Sequence, residues 1–238
     1  MANDANTTTS VPTVPITLER KPFLPEKDDK GLQELGVARA NIAATHDKPE
    51  GTSSWSTRYS RQTVLQQHCA FFDKDEDSVI YPWDTYIGFR ALGFMIPLSL
   101  LAVFIIHANF SYPTLPSWIP DPQLPVYVDR IHKDKHGSDT GTYDTEGRFI
   151  PQKFEDIFAK YADGRDYLTI RDVANLLNGQ RIIADPIGWG GAMFEWLATY
   201  IMLWPEDGKM RKEDIRRIYD GSIFSAIAER RTREKKRG

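Results

Sequence analysis

The 238-residue chain has one cysteine, Cys69. No intramolecular disulfide framework is therefore available, and a reducing compartment suits the composition. A dominant charge is missing as well. Lys and Arg number 30 and Asp and Glu 33, for a net charge of −3 and a pI of about 6.0. That balance gives no basic footprint, so no nucleic-acid partner is expected. Residues 1–10 are polar and hold no apolar h-region, which argues against a cleaved secretory signal. No solenoid period runs through the chain.

What is present is unevenly spread. Apolar residues make up 41% of the sequence but crowd toward its middle. Residues 1–62 are rich in Thr, Pro, Lys and Asp and read as largely extended or disordered, with a short helix near 31–42. Residues 63–90 read as helix–loop–helix, 91–120 as an apolar segment ending in prolines, and 121–153 as polar loop. From 154 to 230 the pattern is helical, in segments 154–162, 169–177, 187–204 and 212–230. Residues 231–238 form a basic tail. With Arg230 it would either meet anionic headgroups or be the solvated end of a helix.

Residues 73–84 (DKDEDSVIYPWD) have the spacing of an EF-hand calcium loop. Calcium takes six to eight hard oxygens, which such a loop offers from positions 1, 3, 5, 7, 9 and 12. Asp73, Asp75 and Asp77 fill the first three. Val79 would give its carbonyl, Tyr81 would hold a water, and Asp84 would close the set. An amphipathic helix over 63–72 precedes the loop. Ser78 stands where glycine normally makes the sharp turn, and Asp84 where a longer glutamate reaches the ion with both oxygens. These departures favour weaker calcium binding or octahedral magnesium. The alternative is a solvated acidic turn. Ile80 falls at position 8, where paired hands form a short β-bridge. Two later windows, 161–172 and 203–214, keep Leu168 and Met210 at that position and Asp172 and Asp214 at position 12. Tyr161, Arg165, Leu203 and Pro205 replace their ligands. They read as metal-free partner hands or as ordinary helix turns.

In residues 91–106 (ALGFMIPLSLLAVFII) only Ser99 is polar. A straight helix there would span about 24 Å, short of the roughly 30 Å hydrocarbon core. Pro97 is expected to kink or break it. Pro113, Pro116 and Pro120 should then force a turn, with Tyr112 and Trp118 at the water–lipid boundary. A segment that enters a membrane or droplet, turns and returns fits this composition. The alternative is a core helix of a water-soluble domain. Residues 187–204, with Trp189, Trp196 and Trp204, read as an interfacial helix or, more simply, as a core helix.

These features occur in an order that resembles the caleosins, the lipid-droplet proteins also called peroxygenases. The strings that carry the resemblance are LQQHCAFFDKDEDSVIYPWDTY (65–86), SYPTLPSWIP (111–120, the proline knot) and IHKDKHGSDTGTYDTEGRF (131–149), with DPIGW (185–189) and IRRIYDGSIF (215–224). The resemblance spans about residues 63 to 228. It implies a haem enzyme that moves oxygen from a fatty-acid hydroperoxide to an unsaturated lipid. It places that enzyme on lipid-droplet or endoplasmic-reticulum lipid with its folded parts facing the cytosol. It points to His68 and His136 as haem ligands and catalytic residues, with His132 as the fallback for the second. No C-x-x-C-H attachment motif is present, so haem comes from the resemblance alone. Cys69 matches no family ligand. The competing function is a non-enzymatic, calcium-dependent coat or tether of droplets. A soluble calcium sensor would need a second working hand. The expected fold class is mainly α: an EF-hand, an apolar helical insertion with a proline knot, and a helical C-terminal domain.

Overall fold

Most helices begin where a local signal places them. The computed structural model describes residues 41–45 and 47–237, and also two short strands, β1 (Asn6–Thr7) and β2 (Ile16–Thr17), which pair antiparallel. The strands belong to the unit of residues 1–38, and every other element belongs to the unit of residues 39–238. Most of the helix expected near 31–42 lies outside the described residues.

Helix α1 (Ser53–Arg58) falls in the stretch expected to be extended. Arg216 explains it: this residue is 1% exposed, and it donates to the Ala43 carbonyl at 3.0 Å and to the Thr52 hydroxyl at 2.7 Å. A partner 164 residues away leaves no trace in local composition. Helix α2 (Val64–Cys69) starts at a capping box, in which Thr63 Oγ1 accepts the Gln66 amide and Gln66 Oε1 accepts the Thr63 amide. Strand β3 (Val79–Ile80) lies within the second half of the 73–84 loop, and helix α3 (Pro82–Ala91) opens on proline.

The chain turns at Gly93 (φ 94°) into helix α4 (Ile96–Thr114). Pro97 lies in the first turn of α4, where its missing N–H has no helical partner to lose. The apolar run is therefore broken just before Pro97, as one of the two expected outcomes, and Pro97 opens the new helix without kinking it. The 19 residues reach about 28 Å. Pro113 sits in the last turn, and Pro116 and Pro120 follow the helix end. Strand β4 (Val126–Tyr127) then returns beside β3, with Ile80 facing Val126. The whole apolar excursion is thus tied at its base to the strand within the acidic loop. The Val128 amide adds a bond to the Ser78 carbonyl at 2.9 Å.

A 3-10 segment (Val128–Asp134) and an ordered loop lead to the C-terminal helices. These are α5 (Pro151–Tyr161), β5 (Tyr167–Leu168), α6 (Ile170–Gln180), α7 (Pro186–Leu203), β6 (Met210–Arg211), α8 (Lys212–Tyr219) and α9 (Ser222–Arg237). The one helix expected over 212–230 is two, because Gly221 takes φ 75° between them. Leu168 faces Met210 across the β5–β6 pair, so the eighth positions of the two later windows bridge each other while Ile80 bridges β4. The chain is mainly α. Its main core gathers Phe149, Phe154, Ile157, Leu168, Leu176, Met210 and Ile215. Each such side chain contributes about 1.5–3 kcal/mol of burial. A second cluster joins Leu92 and Phe94 to Met202, Ile223, Phe224 and Ile227.

Candidate functional site

The acidic loop gathers its first three aspartates. One oxygen each from Asp73, Asp75 and Asp77 lies within 4.8 Å of the others. Asp73 is buried and accepts the amides of Asp77 at 3.1 Å and Ser78 at 3.0 Å. Asp77 accepts the Val79 amide at 2.8 Å. Burial pushes the Asp73 carboxyl above the usual range, and the charges of Asp77 and Asp75 push the same way against the two amides. A bound cation would relieve that crowding. Ser78 takes the positive φ that the turn demands, 66°. Asp84 is not in the group: its Oδ2 accepts the Tyr81 amide at 2.9 Å and caps α3.

In the last turn of α2, His68 points at the α8–α9 junction. Its Nδ1 lies 2.7 Å from the Ile218 carbonyl, and its ring meets Phe224 edge-on at 5.1 Å. A carbonyl only accepts, so Nδ1 carries the proton and Nε2 keeps a lone pair. Burial holds the imidazole below its ordinary pKa, hence neutral at pH 7. This tautomer is the one a metal-ligating histidine uses, with the second nitrogen oriented by a backbone carbonyl. On these grounds His68 fits an axial haem ligand. Gly221 makes the approach feasible, since a Cβ there would lie 2.7 Å from the Gln67 carbonyl and 2.9 Å from His68 Cα. Cys69, next in sequence, is buried and its thiol is pushed up to about 12, so it offers no thiolate.

His136 has a different setting. Its Nδ1 is 3.9 Å from Asp185 and its Nε2 is 3.9 Å from Glu195. The nearby Glu195 carboxylate raises its pKa, against the opposing effect of burial. Nδ1 is buried without a hydrogen bond. A ring held between two carboxylates suits proton exchange better than iron ligation. Asp185 also caps α7 through the Gly188 amide at 3.0 Å and accepts both the amide and the hydroxyl of Ser138. It therefore fastens the His136 loop to α7. Glu195 raises the pKa of His68 as well as that of His136, so one carboxylate acts on both histidines. His132 lies in the 3-10 segment. Ile218, Gly221, Asp185 and Glu195 were not singled out from the sequence, although DPIGW and IRRIYDGSIF contain three of the four.

Helix α4 is inside out. Its buried residues are Ser99, His107, Ser111 and Thr114, while Leu100, Leu101, Phe104 and Tyr112 are exposed, Phe104 at 71%. His107 is 1% exposed and satisfied at both ring nitrogens, by the Thr85 hydroxyl at 2.8 Å and the Leu124 carbonyl at 2.7 Å. It has no free nitrogen for a metal. Thr114 Oγ1 accepts the Tyr127 amide at 3.1 Å. A polar seam inward and an apolar face outward reverse the pattern of a helix in water and suit a hydrocarbon surround. Of the described helices, α4 alone is long and apolar enough to cross a membrane.

The family model described as Caleosin related protein matches residues 60–228. A protein named Peroxygenase from Lilium longiflorum is 44% identical over 214 residues, 90% of this chain and 88% of its own. Probable peroxygenase 4 of Arabidopsis thaliana is 38% identical over 169 residues, 71% and 87% of the two chains. A Probable inactive peroxygenase-like protein of Arabidopsis thaliana is 30% identical over 152 residues, 63% and 73%. No solved structure matches. The matched span takes in the acidic loop, His68, α4 and His136, and by that match the chain belongs to the caleosin family.

Proposed function

We propose that the chain is a calcium-binding, haem-dependent peroxygenase. It would work at a lipid-droplet or endoplasmic-reticulum surface, facing the cytosol, and pass oxygen from a fatty-acid hydroperoxide to an unsaturated lipid. The observation that carries this reading is the bond between His68 Nδ1 and the Ile218 carbonyl, which leaves Nε2 as a neutral ligand. The peroxygenase names of the Lilium and Arabidopsis relatives support it. Haem bound at His68 would supply the redox chemistry that uses the hydroperoxide. The donor carries the oxidising equivalents, so no reductase is required.

The chain's own residues do the rest. The Ile218 carbonyl orients His68, and burial keeps the ring neutral. His136, between Asp185 and Glu195, takes up and returns a proton. The outward face of α4 keeps the enzyme where apolar substrate partitions. Asp73, Asp75 and Asp77, with the Val79 carbonyl, would hold calcium or magnesium, and Asp84 would join by leaving the Tyr81 amide. Because β3 lies within this loop, the ion would stiffen the β3–β4 clasp at the base of the α4 excursion.

The test is an absorption spectrum of the purified protein and an epoxidation assay with hydroperoxide and no NADPH. The expected result is a Soret band and turnover, both lost in His68→Ala. Turnover that survives loss of the haem would overturn the assignment. The second reading, a droplet coat without activity, draws on the relative named inactive. It would be established by lipid binding with no chromophore.

A further inference from the structure

Helix α7 does not behave as the core helix its place in the C-terminal domain suggests. It buries Gly188, Ala192, Trp196 and Met202 but exposes Ile187, Met193, Phe194 and Leu197. At 100° per residue those four share an arc of about 120°. The loop before α7 continues the face, with Ile183 90% exposed, and Ile187 itself is 77% exposed. Scattered apolar residues need no explanation, but a contiguous face of this kind does.

Two observations say what covers it. The last turns of α7 and the first of α4 share one cluster, to which Ala198, Ile201 and Met202 belong together with Phe94 and Leu98. The exposed face of α7 is thus joined to the foot of the inside-out helix. The same foot carries positive charge. Arg231 of α9 packs on Gly93, where a Cβ would lie 2.9 Å from its Nε, and that Nε is buried without a hydrogen bond. Arg230, Arg233 and Lys236 accompany it along the exposed end of α9, against Glu229 and Glu234. Apolar side chains beside a basic cluster match acyl chains beneath anionic headgroups.

We infer that the exposed face of α7 is a second lipid contact, laid down beside the foot of α4, with the basic end of α9 meeting anionic headgroups. The inference rests on the lipid reading of α4.

The experiment uses the full chain with an environment-sensitive fluorophore on a single introduced cysteine: Phe104→Cys on α4, Ile187→Cys on α7, or Lys160→Cys on α5 as control. Cys69 is buried, and unmodified protein reports its background labelling. Vesicles of phosphatidylcholine, with or without phosphatidylserine, are added. The expected result is a blue shift at 104 and 187 and none at 160. At 187, omitting phosphatidylserine should raise the lipid needed for half the shift several-fold. A shift at 104 without one at 187 overturns the α7 contact and leaves α4 intact. A lipid-independent shift at 187 that grows with protein concentration overturns it in favour of a second copy of the chain. No shift at 104 sinks the lipid reading itself.

Discussion

Arg165 sets Nη2 at 3.0 Å from both carboxylate oxygens of Asp172. These residues hold the fifth and twelfth positions of the 161–172 window, where a calcium hand would place two anionic ligands. The guanidinium stands where the ion would. Burial alone would raise the Asp172 carboxyl, but the Thr169 amide and hydroxyl and Arg165 together bring it below the usual range.

Arg165→Met should therefore destabilise the fold slightly at pH 7, since a solvent-screened ion pair contributes little. The folded pKa of Asp172 is depressed. Its contribution is present above the unfolded value of 3.8 and is lost as pH falls through the lower folded value. Chemical denaturation at pH 7 and at pH 2 should show the two proteins converging in acid.

Calcium should bind at one site per chain. Asp75→Ala should abolish the heat of binding in a calorimetric titration, while Asp214→Asn should leave it unchanged. Asp84→Glu should tighten binding roughly tenfold, because the longer arm reaches the ion with both oxygens. Ser78→Gly should act otherwise. A φ of 66° suits glycine better than serine, so the substitution should stabilise the fold by up to ~1 kcal/mol.

The elements most legible in the sequence were those with local causes. The acidic spacing of Asp73, Asp75 and Asp77, the helical periods of α5 and α6, and the family strings all lie within short windows. Pro97 signalled the break in the 91–106 run, but not that a new helix would open on it. Helix α1 was hidden because its anchor, Arg216, is distant in sequence. The polar seam of α4 was readable in principle, since Ser99, His107, Ser111 and Thr114 recur at helical spacing. An apolar run draws attention to its majority and away from this minority. The carbonyl of Ile218 could not be read from any pattern, because a backbone acceptor has no residue type.

Activity should show a bell-shaped pH profile. Burial lowers the pKa of His68 below 6.5, so its neutral form persists into mild acid. Stability drawn from that neutral form is complete above 6.5 and falls as pH drops toward the lower folded value. The acid limb of kcat/KM should therefore lie below pH 6.5. Glu195 raises the pKa of His136, which places the alkaline limb above 6.5. Glu195→Gln should move both limbs to lower pH and the alkaline limb further, because its carboxylate lies 3.9 Å from His136 and is a lesser influence on His68.

Gly221 gives the sharpest mutational test of how His68 is held. Its φ of 75° disfavours any side chain, and a Cβ would also press on the Gln67 carbonyl at 2.7 Å and on His68 Cα at 2.9 Å. Both contacts are backbone, so neither can swing aside as a flexible side chain would. Gly221→Ala must push α2 away from the α8–α9 junction and lengthen the bond from His68 Nδ1 to Ile218. Gly164 separates the two effects. It has the same φ of 75° but nothing within 4 Å of the added Cβ, so Gly164→Ala reports the backbone cost alone, about 1–2 kcal/mol. Gly221→Ala should exceed that cost in thermal denaturation. It should also weaken haem retention at least tenfold in a titration, where Gly164→Ala should bind as the unaltered protein does. Equal haem binding by both variants would mean that the packing at Gly221 does not position His68.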